Sequence, residues 1–160
     1  MERLWAPWRM EYILGPHRDE CIFCEALKKG KEGYTLVRKK LAFVIMNTFP
    51  YNNGHIMVAP TRHTGDIGNL SDDEMLSISR LVKGSLRILQ DKLNPDAFNI
   101  GMNLGRIAGA GVEDHIHIHI VPRWNGDTNF MPVISDTKIV SQALDETYRI
   151  LKEGFSKIKD

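Results

Sequence analysis

Cysteine is scarce in this chain: only Cys21 and Cys24 occur in 160 residues. Two are too few for the disulfide framework of a small secreted scaffold. Net charge is scarce as well, since 21 Lys and Arg against 20 Asp and Glu leave +1 with histidines neutral. That balance argues against a partner held by bulk electrostatics, so neither nucleic acid nor an anionic membrane is expected. No apolar run approaches the ~20 residues of a membrane-spanning helix. The opening residues, Met1-Glu2-Arg3-Leu4-Trp5-Ala6-Pro7-Trp8-Arg9, lack the continuous apolar segment of a signal peptide. Repeats, low-complexity tracts and Gly/Ser linkers are missing too. What remains is a globular composition, 42% hydrophobic and 26% charged, for which a cytoplasmic enzyme or binding protein is the expectation. The length suits a single domain over 1–160, with a Trp-rich arm at 1–20 and an extension carrying a helix at 124–160.

The elements follow from local pattern. Cys21 to Lys28 reads as a short helix ended by Lys29-Gly30-Lys31-Glu32-Gly33. Tyr34 to Arg38 and Leu41 to Met46 are rich in β-branched and aromatic residues and read as a hairpin. Thr48 to Gly54 is a loop by its Pro, Asn and Gly content, and delivers the chain into a strand from His55 to Ala59 that Pro60 stops. Ser71-Asp72-Asp73-Glu74 forms a capping box that opens a helix reaching about Leu93. Met75, Ile78, Val82, Leu86, Leu89 and Leu93 supply its buried stripe, and Asn94-Pro95-Asp96 ends it. Ala97 to Leu104 reads as a strand, Gly105 to Gly111 as a glycine-rich loop. A last helix, roughly Asp136 to Lys152, carries Ile139, Ala143, Leu144, Thr147, Ile150 and Leu151 on one face. This order lacks a regular β-α-β alternation. It predicts an α+β fold with a mainly antiparallel sheet and helices on one side.

Histidine is uncommon, six in all, yet three fall within five residues. His115-Ile116-His117-Ile118-His119-Ile120-Val121 alternates with period two, which predicts a strand with isoleucines facing the core and histidines on the opposite face. Alternate side chains on one face lie about 6.6 Å apart at ~3.3 Å rise per residue. A solvated face would more cheaply use Thr, Lys or Glu. Two chemistries use such a row: chelation of a catalytic zinc, or a neutral imidazole acting as nucleophile while its neighbours contact a phosphate. The preceding Gly105-Arg106-Ile107-Ala108-Gly109-Ala110-Gly111 allows backbone amides to close around phosphate oxygens and tilts the choice toward phosphorus chemistry.

His115-x-His117-x-His119 with Ile120-Val121 resembles the histidine-triad nucleotide hydrolases and transferases. Gly54-His55-Ile56-Met57-Val58-Ala59-Pro60-x-x-His63 looks like the second signature of that family. Val121-Pro122-Arg123-Trp124, the Trp-rich arm and Asn125-Gly126-Asp127-Thr128-Asn129-Phe130 look like its diadenosine tetraphosphate phosphorylase branch. The resemblance implies a histidine-triad fold, with an antiparallel sheet of about five strands and two main helices, pairing into a homodimer. It implies His117 as the nucleophile that attacks an α-phosphorus, with His119 at the phosphate and His55 against the same cluster. A backbone carbonyl would fix the tautomer of His117. Asn47 matches a ribose-binding position, Ile45 would face the base, and Asn103 matches a phosphate-side polar residue. Many family members carry Gln-Ser or Gln-Thr before the first histidine. Here Gly109-Ala110-Gly111-Val112-Glu113-Asp114 has neither, so phosphate contacts at Gly109 and Gly111 would come mostly from backbone. A nucleotide-binding module without catalysis and a zinc-dependent hydrolase are the alternative functions.

Cys21-x-x-Cys24 by itself is half a zinc site, a pair of small buried thiols or a redox dithiol, the last disfavoured because no thioredoxin-like β-α-β context surrounds it. The resemblance implies its completion by His63 and His115 as a structural zinc site, which would pin the strand beside His117. Trp124 reads as a packing ring or a base-stacking one. Arg123 and Arg106 are candidate charges for a polyphosphate, and His17 a surface residue.

Overall fold

The computed structural model describes residues 20–128 and 143–158. The Trp-rich arm, His17 and the start expected for the last helix lie outside them. Five strands, β1 (Thr35–Arg38), β2 (Ala42–Met46), β3 (Ile56–Pro60), β4 (Ala97–Gly101) and β5 (Ile118–Arg123), form one sheet in the order β1-β2-β3-β5-β4. Every neighbouring pair is antiparallel. Helix α1 spans Ile22–Lys29, α2 spans Asp72–Leu93 and α3 spans Leu144–Phe155.

β2 and β3 are buried on both faces, so their alternate residues feed two different cores. Ala42, Val44, Met46, Ile56 and Val58 join Ile120 under Ile78, Leu81 and Leu89 of α2 and Leu151 and Phe155 of α3. Phe43, Ile45, Met57 and Ala59 point the other way and pack with Phe23 and Ala26 of α1. The expectation of helices on one side therefore holds for α2 and α3 only. Cys21 at its N-cap, with Phe23 and Cys24 inside it, gives α1 a reason to cover the histidine face instead.

α2 begins at the expected capping box, with Ser71 Oγ accepting from Glu74 N–H and the Glu74 carboxylate accepting from Ser71 N–H. Arg62 grips the same carboxylate through Nε and Nη2, both at 2.9 Å. Those two guanidinium bonds, with the Ser71 amide, hold the Glu74 carboxyl down at about 2. The helix buries Glu74, Ile78, Leu81, Ser85 and Leu89. The predicted stripe was thus centred slightly off: Val82, Leu86 and Leu93 flank the core half-buried, while Leu81 and Ser85 occupy its middle. Ser85 Oγ is buried there without a hydrogen-bond partner among the described residues.

Three predicted boundaries move. The histidine strand begins at Ile118 rather than His115. Its ladder with β3 covers Ile56 to Val58 only, because Pro60 has no N–H to offer and its carbonyl is taken by the His115 ring. The strand expected over Ala97–Leu104 stops at Gly101, opposite His119, where β5 leaves the ladder. The last helix cannot include Ala143, which is its extended N-cap, and it runs on to Phe155, whose ring is fully buried.

The sheet has two unlike edges. At β1, Tyr148 Oη and Lys152 Nζ of α3 donate to the carbonyls of Thr35 and Leu36. At β4 the residues are mostly exposed, Ile100 at 48%.

Candidate active site

His55 enters from the turn Tyr51–Gly54. Gly54 has φ +71°, and a Cβ there would lie 2.4 Å from Leu93 Cδ1 and 3.3 Å from Pro122 Cγ. Only glycine therefore lets the turn press onto α2 and β5. The turn delivers Tyr51 N–H to His55 Nδ1 at 3.0 Å. A backbone N–H can only donate, so His55 keeps its proton on Nε2 and gives it to His119 Nδ1, 2.9 Å away. His119 in turn carries its own proton on Nε2. Burial, reinforced by His119 and His117 nearby, holds His55 down at about 3. Burial beside His117 likewise holds His119 down at about 4. Both rings are accordingly neutral at pH 7, and the direction of the hydrogen bonds is fixed by the main chain.

His117 is oriented separately. Its Nδ1–H donates to the His115 carbonyl at 2.8 Å, which leaves the Nε2 lone pair free. The ring is buried, and that burial lowers its basicity against the opposing effect of the carbonyl. Phe23 lies against the rings of both His115 and His117, with centroids 4.9 and 4.7 Å away. Tyr51 lies over His55 and stacks on His119, at 4.6 and 5.8 Å. Sequence reasoning missed both aromatic covers. Phe23 had a signal: folding Cys21-Ile22-Phe23-Cys24 onto His115 can carry the aromatic one of the two residues between the cysteines onto the same ring.

Cys21, Cys24, His63 and His115 bring one donor atom each within 4.8 Å of one another. Cys21 Sγ is 3.3 Å and Cys24 Sγ 3.8 Å from His115 Nδ1, and Cys24 Sγ is 3.4 Å from His63 Nδ1. Tetrahedral zinc with its usual bond lengths would separate sulfur and nitrogen ligands by about 3.5 Å. His115 donates Nε2–H to the Pro60 carbonyl at 2.9 Å, so Nδ1 faces the thiols with a free lone pair, held as metal-binding imidazoles usually are. Gly65 makes the approach possible: a Cβ there would fall 2.3 Å from the Glu113 carbonyl oxygen. The residues fit the metal. Among the described residues only His115 of the three strand histidines belongs to this group, and four protein ligands close a coordination sphere. A catalytic zinc on the histidine row is not what the geometry offers.

The remaining candidates divide. Asn103 Nδ2 donates to the Gly109 carbonyl at 3.3 Å and so braces the glycine loop. Gly105 and Gly109 have positive φ in that loop. The Asn47 amide lies against the His55 ring at 3.3 Å while its Oδ1 accepts from Phe49 N–H. Ile45 is 5% exposed in the core beneath α1, which favours packing. Trp124 Nε1 donates to the Asn94 carbonyl. Arg123 is engaged with Asp127 and Asn99 rather than held ready for a polyphosphate.

Residues 29–126 match the HIT domain family. The chain is 34% identical to a Mycobacterium tuberculosis AP-4-A phosphorylase over 167 aligned positions, covering 98% of this chain and 86% of that protein. It is 33% identical to an adenosine 5'-monophosphoramidase of Schizosaccharomyces pombe over 105, covering 66% and 75%. The crystal structure of a zinc-bound histidine triad family protein from Mycobacterium smegmatis superposes with a TM-score of 0.69 at 23% identity, covering 86% and 94%.

Proposed function

The chain belongs to the HIT domain family, and from that premise we propose an enzyme that cleaves dinucleoside polyphosphates, or related nucleotide conjugates, at the α-phosphate. The observation that carries this reading is His117, whose Nδ1–H is committed to the His115 carbonyl so that Nε2 presents a lone pair. That nitrogen attacks the α-phosphorus and the bond to the leaving nucleotide's bridging oxygen breaks. His119, its Nε2–H set by the His55 chain, donates to the phosphate or the departing oxygen. Inorganic phosphate or water then attacks the nucleotidyl-His117, restoring the ring and releasing a nucleoside diphosphate or monophosphate. The named relatives support this substrate class, and the phosphorylase supports phosphate as acceptor. Backbone amides near Gly109 and Gly111 serve the anion and Asn47 the ribose, whereas Ile45, buried beneath α1, stays a packing residue.

Incubation with diadenosine tetraphosphate, with and without inorganic phosphate, tests this directly. ADP plus ATP formed with phosphate supports phosphorolysis, whereas AMP plus ATP would replace the acceptor by water. The variant His117→Ala is expected to lose turnover by on the order of 10⁴-fold or more while still binding AMP. Undiminished turnover in it would sink the covalent reading.

Cys21, Cys24, His63 and His115 are assigned to a structural zinc ion. When bound, the ion supplies cross-linking of α1 to the loop before β5, not Lewis acidity at phosphorus. A thiol pair kept as zinc ligands suits the reducing cytoplasm. We read the chain as one domain that pairs into a homodimer through the β4 edge, which carries no further strand among the described residues. Ile100, Leu104 and Ile107 are exposed along β4 and the loop after it, at 48%, 49% and 106%. A monomer in sedimentation at micromolar concentration would overturn that pairing.

A further inference from the structure

The segment Asn125-Gly126-Asp127-Thr128 lies past the end of β5, outside the histidine row and the metal cluster. Its carboxylate is not solvated: the Asp127 side chain is 7% exposed. Arg123 donates to it through Nε at 2.6 Å and Nη2 at 2.9 Å, and Trp124 N–H through a 3.1 Å bond. Asn52 Nδ2 donates to the same Oδ2 at 2.7 Å and also to the Pro122 carbonyl at 3.0 Å. Asn52 is 6% exposed and sits between Tyr51, whose N–H meets His55, and Gly54, which packs on Leu93. Asn53 is tied on the other side, its Oδ1 accepting from the Thr147 hydroxyl of α3. His55 N–H closes the turn on the Asn52 carbonyl.

We infer that Asp127 and Asn52 are positioning residues that set the tautomers of His55 and His119 by holding the Tyr51 amide on His55 Nδ1. Two imidazoles in contact can share their protons in either direction, since each neutral ring is one donor and one acceptor. One obligate donor at the head of the chain removes that choice. If the turn slackens, His55 can place its proton on Nδ1, and His119 then need no longer carry its proton on Nε2. The Asn52 side chain reaches neither histidine, so its action is through the backbone it anchors. Arg123 neutralises the carboxylate and ties it to Asn99 of β4, which keeps the anchor rigid.

The hydrogen-bond part of this inference stands on geometry alone; its kinetic part rests on the roles proposed above for His117 and His119. Ring ¹⁵N spectra of the whole labelled protein near neutral pH read the tautomers. In the wild-type chain both His55 and His119 are expected as Nε2–H, and an Nδ1–H form of either overturns the inference, whatever the substrate. In Asn52→Ala both side-chain bonds of Asn52, to Asp127 and to the Pro122 carbonyl, are gone, while the Asn53 tie to Thr147 remains. The two rings should then show mixed tautomers, with kcat on diadenosine tetraphosphate down roughly tenfold and KM little changed, the scale of one lost positioning hydrogen bond. Asp127→Ala should move both readouts the same way by a smaller factor. Asp127→Asn, whose carbonyl oxygen can still accept from Asn52, should recover most of each. Unchanged ring nitrogens in folded Asn52→Ala, or an Asp127→Asn no better than Asp127→Ala, would overturn it.

Discussion

The two faces of the sheet are built on opposite terms. Under α2 and α3 the core is apolar, from Val44 and Val58 to Leu89 and Phe155, and its buried serine hydroxyl has no partner among the described residues. Under α1 the buried groups include His55, His115 and His117, and each polar ring there has a defined donor or acceptor. The first face supplies hydrophobic stabilisation, which is insensitive to orientation. The second spends hydrogen bonds on keeping imidazoles neutral and aimed. Stability and chemistry are thereby assigned to different sides of the same two strands, β2 and β3, which face both.

That division can be broken by mutation. Leu89→Ala should cost about 2–5 kcal/mol by cavity formation, read by urea unfolding, with turnover per folded molecule unchanged. A comparable loss of turnover would show that the faces are coupled. Removing the thiols with Cys21→Ser and Cys24→Ser should abolish zinc binding. It should also lower the melting temperature by roughly 5–10 °C, or about 2–3 kcal/mol for a chain of this size. Nucleotide affinity should change little, and a chelator should reproduce the shift in the wild-type chain. Loss of all activity with no change in melting would instead give the metal a chemical role.

Acid should act on the histidine face. His55 and His119 are held at about 3 and about 4 against an ordinary 6.5, so between those values the unfolded chain binds more protons than the folded one. Stability is then fully present above 6.5 and falls as pH drops toward 4, by up to about 1.4 kcal/mol per pH unit for a fully buried ring such as His55. Melting followed from pH 7 to pH 4.5 should show that slope, and His55→Gln should flatten it. A wild-type profile without the slope would mean that the rings titrate normally. Smallest is Ser85→Ala, which should leave turnover alone and stabilise by about 1 kcal/mol by removing an unpaired buried hydroxyl. Destabilisation would imply that Ser85 Oγ has a partner such as a buried water.

Much of this was legible because pattern and physics coincide locally. The capping box at Ser71, the stop at Pro60 and the hairpin around Lys39-Lys40 each depend on neighbours in sequence. The helix stripe was displaced because Leu81 and Ser85 are the buried residues in the middle of α2, with Val82 and Leu86 only partly buried beside them. The first two triad residues fell outside the strand because a side chain from the same segment claims the carbonyl of Pro60. Arg123 looked available for a polyphosphate until the fold set Asp127 beside it, four residues on and within bonding distance.

The sequence by itself determined the period-two spacing of His115, His117 and His119, the four residue types of the candidate metal cluster, and the glycine that the turn before His55 requires. These are short-range facts, fixed by backbone period and by the absence of a Cβ. Tertiary structure alone decided which carbonyl orients His117, that His115 faces thiols while its carbonyl serves its neighbour, and that Tyr51 N–H sets the direction of the His55–His119 hydrogen bond. Each of those is a contact between a particular donor and acceptor, brought together by strand register and by the packing of α1 and the Asn52 turn. Spacing along the chain carries no information about such meetings.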